Sequence, residues 1–291
     1  MNKTHIALAT ALIASVSTFA HAEDAAPAPA AAASAPASDW TITGNMALSS
    51  EYRTRGISQS DKKPALSGGF DVSHSSGFYF GNWNSNIDSR YYNGANIEMD
   101  FYGGFKYPVG DVTLDLGAFY YYYPGSGRRN GHALSEGPGS GIDEKEIYVA
   151  ASYGPVTAKL YIPIGDFFSI QKNNKLANKA NGNSLLNTNN ASGSVYLDLS
   201  GSYDLGNGFG LIGHFGYQNL AGAAKLTKIN SSKLASDYED WKLGVTYTFA
   251  NGFIAGITYI DTSIDTPNAF VPGGNKSISG ATGVFSLAHN F

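Results

Sequence analysis

A histidine beside a serine is the first pattern to test for chemistry, because an imidazole that accepts the hydroxyl proton makes a nucleophile. Among 291 residues and six histidines, only His74-Ser75-Ser76 offers it. That triplet falls in a short connection with no carboxylate placed to orient the ring, so it reads as a turn. His5 and His21 sit near the amino terminus, while His132, His214 and His289 are scattered without metal-ligand spacing. Asp261 and Asp265 lack the alternating acids and closing glutamate of a calcium loop. Gly125-Ser126-Gly127-Arg128-Arg129 has no Lys-Ser/Thr pair or following helix to cradle a phosphate. With no cysteine there is neither thiol chemistry nor a disulfide framework. No catalytic residue, metal ligand or cofactor is expected, and the chain does not read as an enzyme.

The charges follow a different logic. Glu98, Asp100, Tyr102 and Lys106 recur at even spacing, with Ile97, Met99, Phe101, Phe105 and Tyr107 between them. A period of two means strand, because successive side chains leave opposite faces of a pleat. On the polar phase of such stretches lie nine acids: Glu51, Asp71, Glu98, Asp100, Asp115, Glu144, Glu146, Asp198 and Asp240. Four bases share it, Arg53, Lys106, Lys159 and Lys242, together with Tyr102, Tyr121, Tyr123, Tyr148, Tyr161 and Tyr196. Nine acids against four bases leave five carboxylates over, and unpaired buried charge is costly unless water reaches it. These residues are therefore candidates for lining a pore. The alternative is that they pair across strands and stiffen a filled interior.

The elements that would position them are about a dozen strands, near 41–53, 65–73, 78–87, 96–107, 112–123, 144–153, 156–164, 194–203, 209–218, 238–248, 253–260 and 278–291. Their connections alternate strictly, five short turns against six long loops at 54–64, 88–95, 124–143, 165–193, 219–237 and 261–277. An even-stranded membrane barrel requires that sorting, whereas a Greek-key sandwich does not. Aromatics on the apolar phase gather at the strand ends. Phe105, Tyr107, Tyr153, Tyr203, Phe209, Tyr247, Phe253 and Phe291 lie beside the short turns. Tyr52, Trp83, Tyr120, Tyr122, Tyr217, Trp241 and Tyr259 lie toward the long loops. Two such bands are the girdles of a barrel at its two headgroup layers.

Residues 1–22 have a cationic start, an apolar run and the small-residue site Ala20-His21-Ala22, the pattern of a signal peptide cleaved after Ala22. Residues 23–38 are nearly all Ala, Pro and Ser and read as a flexible tether. That leaves 39–291 as one domain, an all-β transmembrane antiparallel barrel of 12 strands in the outer membrane of a Gram-negative bacterium. Removing Lys3 with the leader leaves 18 basic against 23 acidic residues, a net of −5 with no nucleic-acid footprint.

Arg53-Thr54-Arg55-Gly56-Ile57-Ser58-Gln59-Ser60, with Pro64-Ala65 and Gly68-Gly69, resembles the opening motif of the TorF family of outer-membrane porins. Ser76-Gly77-Phe78-Tyr79, Tyr122-Tyr123-Pro124-Gly125, Asp166-Phe167-Phe168 and Asp240-Trp241-Lys242 continue the likeness, and the Asn- and Lys-rich stretch 171–190 departs from it. The resemblance implies an outer-membrane barrel with pore activity and no established substrate. Phe291 resembles the carboxyl-terminal signal through which outer-membrane proteins meet the barrel-assembly machinery.

The expectation is a narrow passive channel for small polar solutes or ions, weakly cation-preferring because acids outnumber bases in its outer half. A closed or plugged barrel with a structural or surface-binding role is the alternative, and an outer-membrane lipid hydrolase a more distant one. Expected partners are outer-membrane lipid and lipopolysaccharide. The latter would be met by Arg128, Arg129, Lys172, Lys175, Lys179, Lys225, Lys228 and Lys233 in the long loops.

Overall fold

The computed structural model describes residues 38–92, 94–126, 142–165, 193–221, 237–264 and 278–291. The expected leader, all of the tether but Ser38, and nearly all of the 165–193 loop lie outside these residues.

The strands in chain order are β1 (Trp40–Ser49), β2 (Arg53–Thr54), β3 (Ile57–Ser58), β4 (Ala65–His74), β5 (Phe78–Asn86), β6 (Ile97–Val109) and β7 (Val112–Tyr122). They continue as β8 (Glu144–Tyr153), β9 (Val156–Pro163), β10 (Val195–Gly206), β11 (Phe209–Asn219), β12 (Tyr238–Thr248), β13 (Phe253–Thr262) and β14 (Thr282–Asn290). Twelve of them pair antiparallel in sequence order and close into a barrel, with β1 bonded to both β4 and β14, and β2 pairs only with β3. Closure satisfies the edges of all twelve wall strands. The described residues contain no helix.

Alternation explains the wall. Along β8, Glu144, Glu146, Tyr148 and Ala150 are buried, while Lys145, Ile147, Val149 and Ala151 are exposed. The exposed phase elsewhere carries Ile42, Leu116, Leu243 and Phe285, each more than half exposed. A continuous apolar outer surface around a polar interior is the wall of a transmembrane barrel. Tyr107, Tyr153, Tyr203, Phe209, Tyr247, Phe253 and Phe291 are exposed near the short-turn end.

Local chemistry sets the corners. Asn207 and Gly208 both have positive φ, 55° and 84°, and link β10 to β11. Two left-handed residues make the turn whose twist suits a hairpin, and Asn-Gly adopts it at least cost. At the closure, Gly44 of β1 and Phe291 exchange backbone hydrogen bonds of 2.6 and 2.9 Å. A Cβ at Gly44 would stand 2.9 Å from Cδ2 of the Phe291 ring, so glycine lets that ring lie against the strand.

The structure departs from the sequence expectations in four places. The first strand ends at Ser49 rather than at 53, because the chain then turns into the barrel. Residues 54–64 do not form an outer loop: Arg55, Ser58, Gln59, Ser60 and Asp61 are buried. Tyr52 and Trp83 do not join the outer aromatic band. Trp83 falls on the inward phase of β5, its ring centroid 5.1 Å from that of Tyr52, and both are buried. The last strand starts at Thr282, and the residues before it pack on the inward hairpin, with Ser58 N–H donating to the Ile278 carbonyl at 2.8 Å.

Candidate functional site

The interior divides into two halves. At the long-loop end, β2 and β3 form a hairpin that folds into the bore. Its tip is Arg55-Gly56, with φ of 47° and 75°, again two left-handed residues in a two-residue turn. Gly56 packs against Asp240 and Thr262, where a Cβ would stand 2.7 Å from Asp240 Cβ. Arg55 reaches across the bore. Its Nη2 donates to both carboxylate oxygens of Glu146 at 2.9 and 2.7 Å, and Nη1 donates to Gln218 Oε1 at 3.0 Å. Its guanidinium lies 4.4 Å from the ring centroid of Tyr196 and 5.4 Å from that of Tyr161. The Tyr238 hydroxyl donates to the Arg55 carbonyl at 3.3 Å. Burial alone would lower the pKa of Arg55, but Glu146 more than offsets it and holds the guanidinium charged well above its ordinary range.

Arg53 braces the same hairpin. Its Nε donates to Glu51 at 2.9 Å, and Nη1 donates to the carbonyls of Gly56 and Gly280 at 2.8 and 2.9 Å. At the rim, Asp61 accepts from Arg90 and from the Tyr91 hydroxyl, and Asp88 accepts from Lys63 at 2.7 Å and from Arg90 Nε at 2.8 Å. Burial pushes both carboxyls up. Tyr91 and Arg90 at Asp61, and Arg90 and Lys63 at Asp88, more than reverse it and leave both below the usual carboxylate range.

Beneath the hairpin lie most of the acids singled out from sequence. Glu98 accepts from the hydroxyls of Tyr52 and Tyr123 at 2.6 and 3.0 Å. Asp100, two residues on, is fully buried, and its carboxylate oxygens meet no hydrogen-bond donor among the described residues. Glu144 is also buried. The Tyr121 hydroxyl donates to Glu146 at 3.1 Å. His214 bridges Asp240, 2.8 Å from Nε2, and Asp198, 3.3 Å from Nδ1, and the Tyr196 hydroxyl donates to Asp240 at 2.9 Å. Lys242 stands opposite His214 in register and is half-buried.

The short-turn half is more open. Asp71, Lys106 and Asp115 are half-buried there. Asp71 accepts from the Tyr102 hydroxyl at 2.8 Å, and Asp115 accepts from Tyr79 at 2.7 Å, whose hydroxyl also meets that of Tyr148. Lys106 faces Asp115 in register and sits 4.9 Å above the Tyr79 ring centroid. Lys159 sits 4.5 Å above that of Tyr148.

All nineteen pore-lining candidates thus lie on the inside of the barrel, but Glu51 and Arg53 belong to the segment that folds inward after β1 rather than to the wall. Sequence reading left five carboxylates in search of water. Three of the acids find partners outside those four bases, Glu146 in Arg55, and Asp198 and Asp240 in His214, and Glu98 is met by tyrosine hydroxyls. Arg55 was missed as an inward residue, although Thr54-Arg55-Gly56-Ile57 carries the glycine of a two-residue hairpin turn. Gln218 was missed too, although it shares the inward phase of β11 with His214. The basic residues expected to meet lipopolysaccharide, Arg128 through Lys233, lie outside the described residues.

A family model described as a bacterial protein of unknown function, Gcw_chp, matches residues 33–291. No curated protein matches the chain. Among solved structures, the chain is similar to the KdgM porin in complex with disordered oligogalacturonate, at 5% identity and a TM-score of 0.43, covering 86% of this chain and 97% of that one. It is also similar to the outer membrane protein OprD from Pseudomonas aeruginosa, at 12% identity and a TM-score of 0.36, covering 79% of this chain and 59% of that one. OpdK of the same organism, with vanillate, gives 13% identity and a TM-score of 0.36, with 79% and 57% covered.

Proposed function

From the premise that the chain belongs to the Gcw_chp family of bacterial proteins of unknown function, we propose that it is an outer-membrane channel for passive diffusion of small polar solutes or ions, narrowed by its first loop. The observation that carries this reading is the closed 12-strand wall, apolar outside and charged inside, with a half-exposed polar vestibule at Asp71, Lys106 and Asp115. Twelve strands enclose a bore between the filled eight-stranded barrels and the wide porins of 16–18 strands, in which one loop is enough to set the constriction. The likeness of residues 53–60 to the TorF porins supports the same reading.

Several finer features belong to the proposal. The leader is removed after Ala22, Phe291 presents the barrel to the assembly machinery, and basic residues of the long loops meet lipopolysaccharide phosphates. Cations pass slightly more readily than anions, because acids outnumber bases on the inward phase of the outer half.

One observation favours a second reading, a plugged barrel with a structural role. Tyr121, Tyr161, Tyr196, Gln218 and Glu146 are all less than 2% exposed around the hairpin tip. Single-channel recording in planar bilayers separates the two. Small discrete steps from the wild type, enlarged when the hairpin is unlatched, establish the channel. Silence from both wild type and unlatched variants establishes the plug.

A further inference from the structure

Arg55 belongs to a loop, yet the barrel wall holds a complete receptacle for its guanidinium. Five strands contribute to it: Tyr121 from β7, Glu146 from β8, Tyr161 from β9, Tyr196 from β10 and Gln218 from β11. Glu146 receives two hydrogen bonds from Nη2, at 2.9 and 2.7 Å, and is itself oriented by the Tyr121 hydroxyl at 3.1 Å. Gln218 takes the other terminal nitrogen at 3.0 Å. Tyr196 and Tyr161 stand 4.4 and 5.4 Å from the cation.

A latch needs only a countercharge. This wall adds a neutral acceptor and two aromatic rings, a combination that favours a planar, weakly hydrated guanidinium over a compact ammonium. The approach is also end-on. Both terminal nitrogens are engaged, whereas Nε is buried and meets no acceptor. A free guanidinium solute travelling along the bore would present those same terminal nitrogens. The occupant, by contrast, is weakly organised, because β2 and β3 are two residues each and such a hairpin does not hold itself together. The receptacle is made by the rigid wall, and its occupant comes from a small tethered piece.

We propose that the Glu146–Gln218–Tyr196–Tyr161 pocket is a binding site for small solutes carrying a guanidinium group, and that Arg55 occupies it as a tethered stand-in when no solute is present. The inference rests on the channel reading, since a solute reaches the pocket only along the lumen. An arriving guanidinium would exchange with Arg55 and free the hairpin tip.

The test is isothermal titration of the detergent-solubilised barrel with argininamide, beside planar-bilayer recording. Arg55→Ala empties the pocket and should bind argininamide at least tenfold more tightly than wild type. Adding Glu146→Gln should remove that gain, and lysinamide should bind Arg55→Ala at least tenfold more weakly than argininamide. In bilayers, argininamide should reduce the Arg55→Ala current in a concentration-dependent way. Should Arg55→Ala not fold, Arg55→Lys keeps a charge beside Glu146 and should still bind argininamide more tightly than wild type. Equal affinity in wild type and variant, affinity that survives Glu146→Gln, or no preference over lysinamide would each overturn the site. Conduction without binding sinks the pocket alone, and binding without conduction sinks the channel reading alone.

Discussion

Truncating Arg55 leaves Glu146 fully buried with its bidentate partner gone. Breaking one side of a buried ion pair costs about 3–5 kcal/mol, because the surviving charge keeps its desolvation penalty. Arg55→Ala should therefore lower the unfolding temperature in detergent clearly, and Arg55→Ala/Glu146→Gln should recover part of the loss. Additive effects in that double-mutant cycle would mean that the pair is not coupled. A second residue-scale prediction uses neighbours on opposite faces. Met46 is half exposed on the outer phase of β1, and Asn45 is on the inner phase. Arginine on the lipid side near the midplane costs about 2–4 kcal/mol and little on the lumen side. Met46→Arg should cut the folded fraction in heat-modifiability gels far more than Asn45→Arg does, and equal yields would overturn the register.

On the proposed channel reading, the inward hairpin is the element that would set the conductance. Its tip seats only because residue 56 lacks a Cβ and accepts a φ of 75° against Asp240 and Thr262. Gly56→Val should unseat the tip without disturbing the wall. The expected result is larger conductance steps with an unchanged β circular-dichroism spectrum. Its outer end is tied by Asp61 and Asp88 to Arg90, Tyr91 and Lys63. Both carboxyls are held below their ordinary range, so their contribution is present above the unfolded carboxylate pKa of about 4 and is lost as pH falls through the lowered values. The seat should thus be unchanged between pH 8 and 5 and should loosen only in stronger acid. Fluorescence of Trp83, which packs on Tyr52 beside the hairpin, would follow this in a variant lacking Trp40 and Trp241. A transition above pH 5 would assign the anchoring to other groups.

For the whole molecule, reversal potentials under a salt gradient should show a weak cation preference that shrinks when Glu98→Gln and Asp100→Asn are combined. Anion preference, or no change, would place the selectivity elsewhere. The barrel itself was legible in the chain. Every wall strand separates two environments, so each residue reports its own side, and alternation located all twelve strands within a few residues. Connection lengths supplied the closure, since short and long loops cannot alternate without opposite ends. The interior was legible only as a phase. Glu98, Glu146, Asp198 and Asp240 could be set on the inner face, but not matched with partners. Arg55 lies 91 residues from Glu146 and 163 from Gln218, and no local period links them. Which carboxylate meets which base depends on how far one loop folds back across the bore. That is a three-dimensional distance, set by the curvature of the closed wall and by the seat it leaves for Gly56. Sequence alone therefore determined a barrel with a charged lumen, and only the tertiary structure decided that its first loop turns inward and takes up the charge.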